Sequence, residues 1–442
     1  MPETRADQRE RDGYLNIGAL ACWPVSTTEV GPLPDSYGGD AGIGDEFGRP
    51  SSILTLAANL SVRWATAARV ISALLPAVLY LAVREVGLMA LDWAAARSHL
   101  NTTTALTSWD GEWFLAVAQY GYQGVPLGLT DAFGRRDPFT PLAFFPGYPT
   151  AVRWVSDLPG VSLTSAALVL SAASGIACAY ALMRIAGALP WIQRQRQVGF
   201  ILIVLFAASP MAIVLSMAYS EALFCALVAW SLVGLMERRW LLAGLAAAGA
   251  GLVRPTAGAL VLTVLIAAVI AIVRRRDSWR PWVGGVLAPV GLLGYLAFVA
   301  DRTGDLGGWF AVQAQGWNSQ FDGGIATVRF GLEVLATGRS VLEVTTVGIL
   351  VVALVLVVIA IRMRIGWPLI TYGLLVLIMD VGSNGLMNSK ARLLLPAFTL
   401  LIPVAIGLSR RQRGTMLTVL AGIVIAGAWF GAYVLTGWQY AI

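Results

Sequence analysis

The sequence has few of the side chains that bind metals or form disulfides. It contains one histidine, His99, and three cysteines, Cys22, Cys178 and Cys225. A single histidine excludes a His-rich metal site. An odd number of cysteines, two of them inside apolar runs, argues against a disulfide framework or a metal cluster. We therefore expect neither a metal nor a bound cofactor.

Charge is also scarce. Only 13% of the 442 residues are charged and 57% are hydrophobic, whereas soluble domains have about 25% and 45–50%. Lys390 is the only lysine, and the net charge of +6 comes from arginines in short clusters between apolar runs. Such clusters orient membrane proteins, so we expect contact with membrane lipids and no nucleic-acid partner. The bias towards Ala, Gly, Val, Leu and Arg is typical of a GC-rich bacterial genome.

Long apolar runs recur from about residue 67 onwards. They are continuous, and they exceed the roughly ten alternating residues of a membrane β-strand, so they predict helices. If the arginine clusters face the cytoplasm, the chain makes about eleven spans. Two long loops, at about residues 92–160 and 302–344, then lie outside. The predicted fold class is an all-α polytopic membrane protein whose long extracytoplasmic loops carry short helices.

The first 62 residues differ from the remainder. They are rich in Gly, Pro, Asp and Arg, and they lack the basic-then-apolar pattern of a signal peptide. We expect residues 1–62 to form a mostly disordered cytoplasmic tail and residues 63–442 to form the membrane domain. This arrangement predicts an inner-membrane protein with its N-terminus in the cytoplasm.

Unusual ionisable residues gather on the predicted outer face, where charges close to a span are often functional. They form an acidic set and a basic set: Asp110, Glu112 and Glu221, and Arg254, Lys390 and Arg392. A carboxylate can accept the proton of an acceptor hydroxyl, and fixed cations can hold a departing phosphate. A lipid-linked phosphosugar presents its phosphate at the membrane surface and would meet both sets there.

Each residue also has a purely structural interpretation. Asp110 is a good cap for a helix that begins at the next residue. Glu221 is then an ordinary loop carboxylate, and Arg254 satisfies carbonyl groups freed at a helix break. Lys390 and Arg392 are then solvated loop charges, and the tryptophans near Asp110 form an interfacial belt.

Several segments of the chain resemble the PIG-V-type mannosyltransferases. Residues 109–122, WDGEWFLAVAQYGY, are similar to the family's WD-x-x-[FY]-x-x-I-A-x-x-GY signature, and residues 143–149, AFFPGYP, to its AFFPGFP segment. Residues 218–224, AYSEALF, look like the family's YSEALF segment. Val253-Arg254 falls at its VRSNG-like turn, and residues 389–396, SKARLLLP, resemble a late motif of bacterial members.

The matching segments span about residues 66–410, and they occur in the same order as in the family. It implies a GT-C glycosyltransferase that uses a polyprenyl-phosphate sugar on the extracytoplasmic face without a required metal. The lipid-linked donor is then a co-substrate, with a lipid or glycan as acceptor. The family's catalytic carboxylate matches Asp110. The chain departs from the pattern at Pro255-Thr256, which replace a polar pair. Mannose is the expected sugar, and arabinofuranose or another polyprenyl-linked sugar is the alternative.

This hypothesis gives each residue a role in an inverting transfer. Asp110 deprotonates the acceptor hydroxyl, which attacks the anomeric carbon. The basic set stabilises the leaving phosphate, and Glu112 and Glu221 orient sugar hydroxyls. Four aromatic residues of the matched motifs complete the predicted substrate-binding set: Trp109, Trp113, Tyr122 and Tyr219.

Two rival functions share these features. A transporter or flippase of lipid-linked sugar would use the same basic groove, but it also needs polar residues deep within the spans. A non-catalytic scaffold would keep the fold without gathering Asp110 and the basic set in one place. The relative positions of these side chains therefore separate an enzyme from a scaffold.

The arginine clusters make a prediction about topology. Single cysteines placed at positions 275 and 411 should react with a membrane-impermeant reagent only from the cytoplasm, because positive loops stay inside. A cysteine at position 131 should react only from outside. Labelling in intact cells and in inverted vesicles measures this, and the reverse pattern at either set would contradict the arrangement of spans.

Overall fold

The computed structural model describes residues 52–338 and 340–438. All regular structure in these ranges is helical, apart from one isolated bridge between Phe321 and Ser383. Residues 1–51, most of the predicted disordered tail, lie outside the described ranges, whereas residues 52–62 belong to the first helix. By its internal contacts the chain divides into Met1–Trp64 and Ala65–Ile442, and all contacts described below lie within the second unit.

The first third of the chain contains one long helix and then several short ones. The helices are α1 (Ser52–Arg97), α2 (Thr102–Thr107), α3 (Asp110–Gly124) and α4 (Gly147–Ser156), with a 3₁₀ turn at Thr140–Ala143. The segment predicted as the first outer loop thus carries short helices, as expected.

The middle of the chain consists of closely connected apolar helices. They are α5 (Leu163–Gly187), α6 (Gln195–Ala207), α7 (Glu221–Met236), α8 (Trp240–Gly251) and α9 (Ala257–Val273), with a 3₁₀ turn at Ala212–Ser216. The helix break predicted at Arg254-Pro255 lies between α8 and α9. A proline there cannot continue the backbone hydrogen bonding of α8.

The last part of the chain contains the second outer segment and the final apolar helices. These are α10 (Arg280–Leu287), α11 (Val290–Thr303), α12 (Gly308–Trp317), α13 (Ile325–Thr337), α14 (Val341–Met363), α15 (Trp367–Val381), α16 (Lys390–Leu393), α17 (Ile402–Ser409) and α18 (Arg413–Thr436). Short 3₁₀ turns precede and follow α16.

Within residues 52–338 and 340–438, five helical segments are long and apolar enough to cross a membrane. They are Val70–Arg97, Leu163–Gly187, Arg280–Thr303, Val341–Met363 and Arg413–Thr436. The pair Met387–Leu393 and Leu395–Ser409, bent by 54°, makes a sixth if it is one span. Five further apolar helices are shorter. The predicted all-α polytopic membrane fold is confirmed, while the expected number of about eleven spans stays a prediction.

Small residues allow the helices to approach closely. α7 packs between α5 and α8, and a Cβ placed on Gly234 of α7 would lie 2.6 Å from the backbone nitrogen of Ala243 in α8. Between α8 and α10, a Cβ on Gly244 would lie 2.8 Å from the carbonyl oxygen of Gly284. Because lipid supplies no hydrophobic force between helices, such tight contacts provide much of their association.

The two predicted outer loops meet each other. The side-chain amide of Gln313 in α12 donates to the carbonyl of Ala143 over 3.3 Å. The backbone N–H of Ala132 donates to the carbonyl of Gly316 over 3.1 Å. Both segments therefore lie at the same end of the helices, next to the residues that carry the candidate site.

The contact between α8 and α11 can be tested with a matched pair of substitutions. In α11, a Cβ on Gly291 would lie 1.9 Å from the Ala248 carbonyl oxygen, whereas a Cβ on Gly294 meets no atom within 4 Å. Gly291→Ala should destabilise the protein by about 1–3 kcal/mol through overpacking. Gly294→Ala should be neutral or stabilising, because alanine favours helix. Thermal unfolding in detergent measures both, and equal melting temperatures would contradict this packing.

Candidate active site

A strained turn presents Asp110 at the end of α2. Trp109 has φ 59° and ψ −119°, a conformation that a bulky residue rarely adopts and that is often found at functional sites. Asp110 then begins α3, and its backbone N–H donates to the hydroxyl of Tyr219 over 3.2 Å. The cap position is Trp109, so Asp110 is not the cap that the structural interpretation required.

The Asp110 carboxylate is paired with Arg392 of α16. Nη1 of Arg392 donates to Oδ2 of Asp110 over 2.6 Å, and the two side chains are 9% and 26% exposed. In the described part of the chain, Oδ1 of Asp110 has no hydrogen-bond partner. One oxygen of the carboxylate is therefore held in place, and the other is available to a ligand on a partly exposed side chain.

A second carboxylate, Glu221, lies behind this pair and is fully buried. Its Oε1 is 2.7 Å from Nη1 of Arg254 and 3.5 Å from Nε of Arg392. These two contacts are ion pairs, and neither carboxylate oxygen of Glu221 has a hydrogen-bond partner among the described residues. Nη1 of Arg254 donates instead to the Ser220 hydroxyl over 3.0 Å. Glu221 is the first residue of α7, where the helix dipole favours negative charge.

Asp110, Glu221, Arg254 and Arg392 thus form one ionic network, called here the ion quartet. It contains two carboxylates and two guanidinium groups, so its formal charges cancel. A buried ion is costly unless it is paired, and each charge in the quartet has an opposite charge beside it. The predicted acidic and basic sets therefore meet at one place, with the exceptions of Glu112 and Lys390.

Tyr219 forms one wall of the ion quartet. The Arg392 guanidinium lies over its ring at 5.3 Å, and the ring is fully buried. Burial, and next the Asp110 charge, raise the pKa of Tyr219 well above its usual range. The side chain stays a neutral phenol, which accepts the backbone hydrogen bond of Asp110 and does not serve as a base.

Glu112 lies outside the ion quartet. It is exposed, and no hydrogen bond or ion pair joins its side chain to another described residue. In α3 it stands two positions after Asp110, and residues two apart point to different sides of a helix. A role in orienting sugar hydroxyls stays a prediction for Glu112, and Trp109, 37% exposed, is likewise free to meet a ligand.

Two other predicted residues support the fold of the first outer segment. Trp113 is 6% exposed and stacks on Phe144 with ring centroids 5.1 Å apart. The hydroxyl of Tyr122 donates to the Phe144 carbonyl over 2.8 Å. Little of the Trp113 ring surface remains for a sugar, so this geometry favours a structural role for Trp113 over the predicted role in substrate binding.

Lys390 points away from the ion quartet. It is 1% exposed, and its Nζ donates to the carbonyls of Asp380 over 2.5 Å and Ser383 over 2.7 Å. Lys390 and Arg392 are two positions apart in α16, so their side chains leave the helix in different directions. These hydrogen bonds indicate that Lys390 stabilises the end of α15. They do not support phosphate binding by this residue.

Two residues near the site had no role in the sequence prediction. The Ser220 hydroxyl accepts from Arg254, as described above. Arg136 lies over the Trp113 ring at 5.4 Å, and its Nε is buried without a hydrogen-bond partner among the described residues. Ser220 stands beside Glu221 inside a matched motif, so the sequence could have indicated that Ser220 belongs to the site. Nothing in the sequence distinguishes Arg136 from the neighbouring Arg135.

No protein-family model and no curated protein matches the chain. Among solved structures, it resembles ArnT from Cupriavidus metallidurans bound to undecaprenyl phosphate, with 16% identity and a TM-score of 0.50. That alignment covers 78% of this chain and 63% of the ArnT chain, so this chain spans less than two thirds of ArnT. Apo ArnT aligns at 14% identity over 81% of this chain and 74% of ArnT, with a TM-score of 0.49.

The archaeal oligosaccharyltransferase AglB from Archaeoglobus fulgidus, in complex with an inhibitory peptide and a dolichol-phosphate, aligns at 12% identity. The match covers 84% of this chain and 56% of AglB, with a TM-score of 0.46. At such low identity the likeness to ArnT bears on the fold, which is that of a GT-C-like polytopic membrane protein.

The ion quartet predicts a strong dependence on Glu221. Glu221→Gln should destabilise the protein by about 3–5 kcal/mol, because it leaves buried guanidinium charge without its partner. Adding Arg254→Met should recover part of the loss, since the double variant removes both charges. Denaturant unfolding of the single and double variants measures the coupling.

Glu112→Gln is the control for this measurement and should change stability by less than about 0.5 kcal/mol, because Glu112 is an exposed surface residue. Additive effects of Glu221→Gln and Arg254→Met would contradict the pairing.

Proposed function

We propose that the protein is a membrane glycosyltransferase. It transfers a sugar from a polyprenyl-phosphate donor to a hydroxyl group of a lipid or glycan acceptor on the extracytoplasmic face. The GT-C-like fold supports the proposal, as does the undecaprenyl phosphate bound to the neighbour ArnT. The gathering of Asp110 with two arginines at one place favours an enzyme over a scaffold.

The observation that carries the proposal is the asymmetric environment of Asp110. Arg392 holds Oδ2, while Oδ1 is open on a side chain that is 26% exposed. A general base must be oriented and must also be within hydrogen-bond reach of the proton that it accepts. Asp110 meets the first requirement through Arg392 and leaves room for the second.

In the proposed reaction, Oδ1 of Asp110 takes the proton of the acceptor hydroxyl. The acceptor oxygen then forms a bond to the anomeric carbon as the bond from that carbon to the phosphate oxygen breaks. The electron pair leaves with the polyprenyl phosphate, and the configuration at the anomeric carbon inverts. No metal or further cofactor takes part in these steps.

Arg392 and Arg254 stabilise the departing phosphate. A guanidinium has five N–H donors, and Arg392 uses only Nη1 in its hydrogen bond to Asp110. Preorganised cations near developing negative charge are usually the largest electrostatic contribution to such a step. Glu221 offsets the charge of both arginines, so the site holds them without a ligand.

The finer assignment follows the resemblance to the PIG-V-type mannosyltransferases. We propose mannose as the transferred sugar, with arabinofuranose or another polyprenyl-linked sugar as the alternative. The protein would act in the inner membrane, with its N-terminus in the cytoplasm. Incubation of the purified protein with polyprenyl-phosphate mannose and host lipid extract, followed by mass spectrometry, tests the sugar and identifies the acceptor.

The mechanism predicts the behaviour of Asp110→Asn. Asparagine keeps the size and most hydrogen bonding but cannot accept the proton, so turnover should fall about 10²–10⁴-fold. Donor binding should largely survive, because a base acts mainly on the transition state. Turnover under saturating donor, together with donor binding to the same protein, measures the two effects separately.

Asp301→Asn is the matched control, since it makes the same change at an exposed carboxylate of α11 that lies outside the ion quartet, and it should keep turnover within a few-fold of the parent. The melting temperature of each variant shows whether the lost Arg392 pair has unfolded the protein. Near-normal turnover in a folded Asp110→Asn protein would refute the assignment of the base.

A further inference from the structure

Two adjoining cavities lie at the other end of the helix bundle, between the α5–α6 connection and the turn from α17 to α18. Their volumes are about 420 and 550 Å³, and they share Gln193 and Arg194. Four arginines line them: Arg194, Arg196, Arg410 and Arg413. No acidic residue belongs to the lining. These are called the arginine cavities below.

The arginine cavities are far from the ion quartet. The 25-residue helix α5 follows the first outer segment at its N-terminus and leads to the cavities at its C-terminus. A helix of that length is about 37 Å long. A ligand in the cavities therefore cannot also contact Asp110, so this inference goes beyond the proposed glycosyl transfer.

Neighbouring arginines in other turns are neutralised by carboxylates. Arg184 is 2.6 Å and Arg239 is 3.1 Å from Glu237, and Arg238 is 3.7 Å from Asp277. The four cavity arginines differ, because no carboxylate of the described residues lies within 4.0 Å of them. The cavities therefore concentrate positive charge that the protein itself does not offset.

The first turn of α6 adds further hydrogen-bond donors to the arginine cavities. Nη1 of Arg194 donates to the Ser409 carbonyl over 3.0 Å, which ties the two turns together. Arg194 is also the cap residue of α6, and its side chain makes no capping hydrogen bond. The first turn of α6 thus points uncapped N–H groups and the positive end of its dipole to the same region.

The occupant should be an anion that is found at a membrane surface. Trp191 lines one cavity and is 44% exposed, and such tryptophans concentrate where spans meet the head groups. Basic pockets between spanning helices on the positive side bind anionic lipid head groups. We propose that the arginine cavities bind the phosphate head group of an anionic phospholipid.

Native mass spectrometry of the full chain, purified in a neutral detergent, tests this proposal with phosphatidylglycerol. The parent protein should retain the lipid and should not retain phosphatidylcholine. The variant Arg410→Gln with Arg413→Gln should bind phosphatidylglycerol about 25-fold more weakly, since each basic residue near the lipid contributes about fivefold. Both side chains are exposed, so the variant should fold.

The matched control is Arg362→Gln with Arg364→Gln. These two exposed arginines belong to another predicted cytoplasmic turn and line neither cavity, so phosphatidylglycerol binding should equal that of the parent. An equal loss in both double variants would mean general charge attraction and would overturn the proposal. Displacement of the lipid by millimolar inorganic phosphate would instead assign the cavities to a free anion.

Discussion

The site depends on the burial of one negative charge. Glu221 is fully buried at the start of α7, and a buried carboxylate costs several kcal/mol unless cations lie beside it. Arg254 and Arg392 supply those cations from two other parts of the chain. Because Arg392 also binds Asp110, the requirement to neutralise Glu221 places the proposed base as well. Stability and the proposed catalysis are therefore coupled in this protein.

The two ends of the helix bundle differ in whether carboxylates neutralise their guanidinium groups. In the ion quartet, two carboxylates offset two guanidinium groups before any substrate arrives. In the arginine cavities no carboxylate of the described residues lies beside the guanidinium groups. The first arrangement suits the proposed reaction, in which the donor phosphodiester gains further negative charge as the phosphate leaves. The second leaves cations without a partner, and these attract an anionic ligand. The proposed transferase site and the proposed lipid site thus follow from different electrostatics.

Within the candidate site, helical geometry separates residues that the sequence places together. Asp110 and Glu112 stand two positions apart, as do Lys390 and Arg392, and side chains two apart do not share a helix face. One member of each pair therefore reaches the ion quartet and the other does not. The sequence indicated the right segments, but it could not show which member faced inwards, because that depends on how α3 and α16 pack in the folded protein.

The sequence by itself determined the all-helical membrane fold, because continuous apolar runs in lipid leave only helices to satisfy the backbone. It also identified Asp110, Glu221, Arg254 and Arg392 as candidates, since charges next to spans are costly and rarely without purpose. Only the tertiary structure decided which of them pair. Asp110 and Arg392 are 282 positions apart in the chain, and a contact over that separation depends on how the helices pack, which local sequence patterns do not specify.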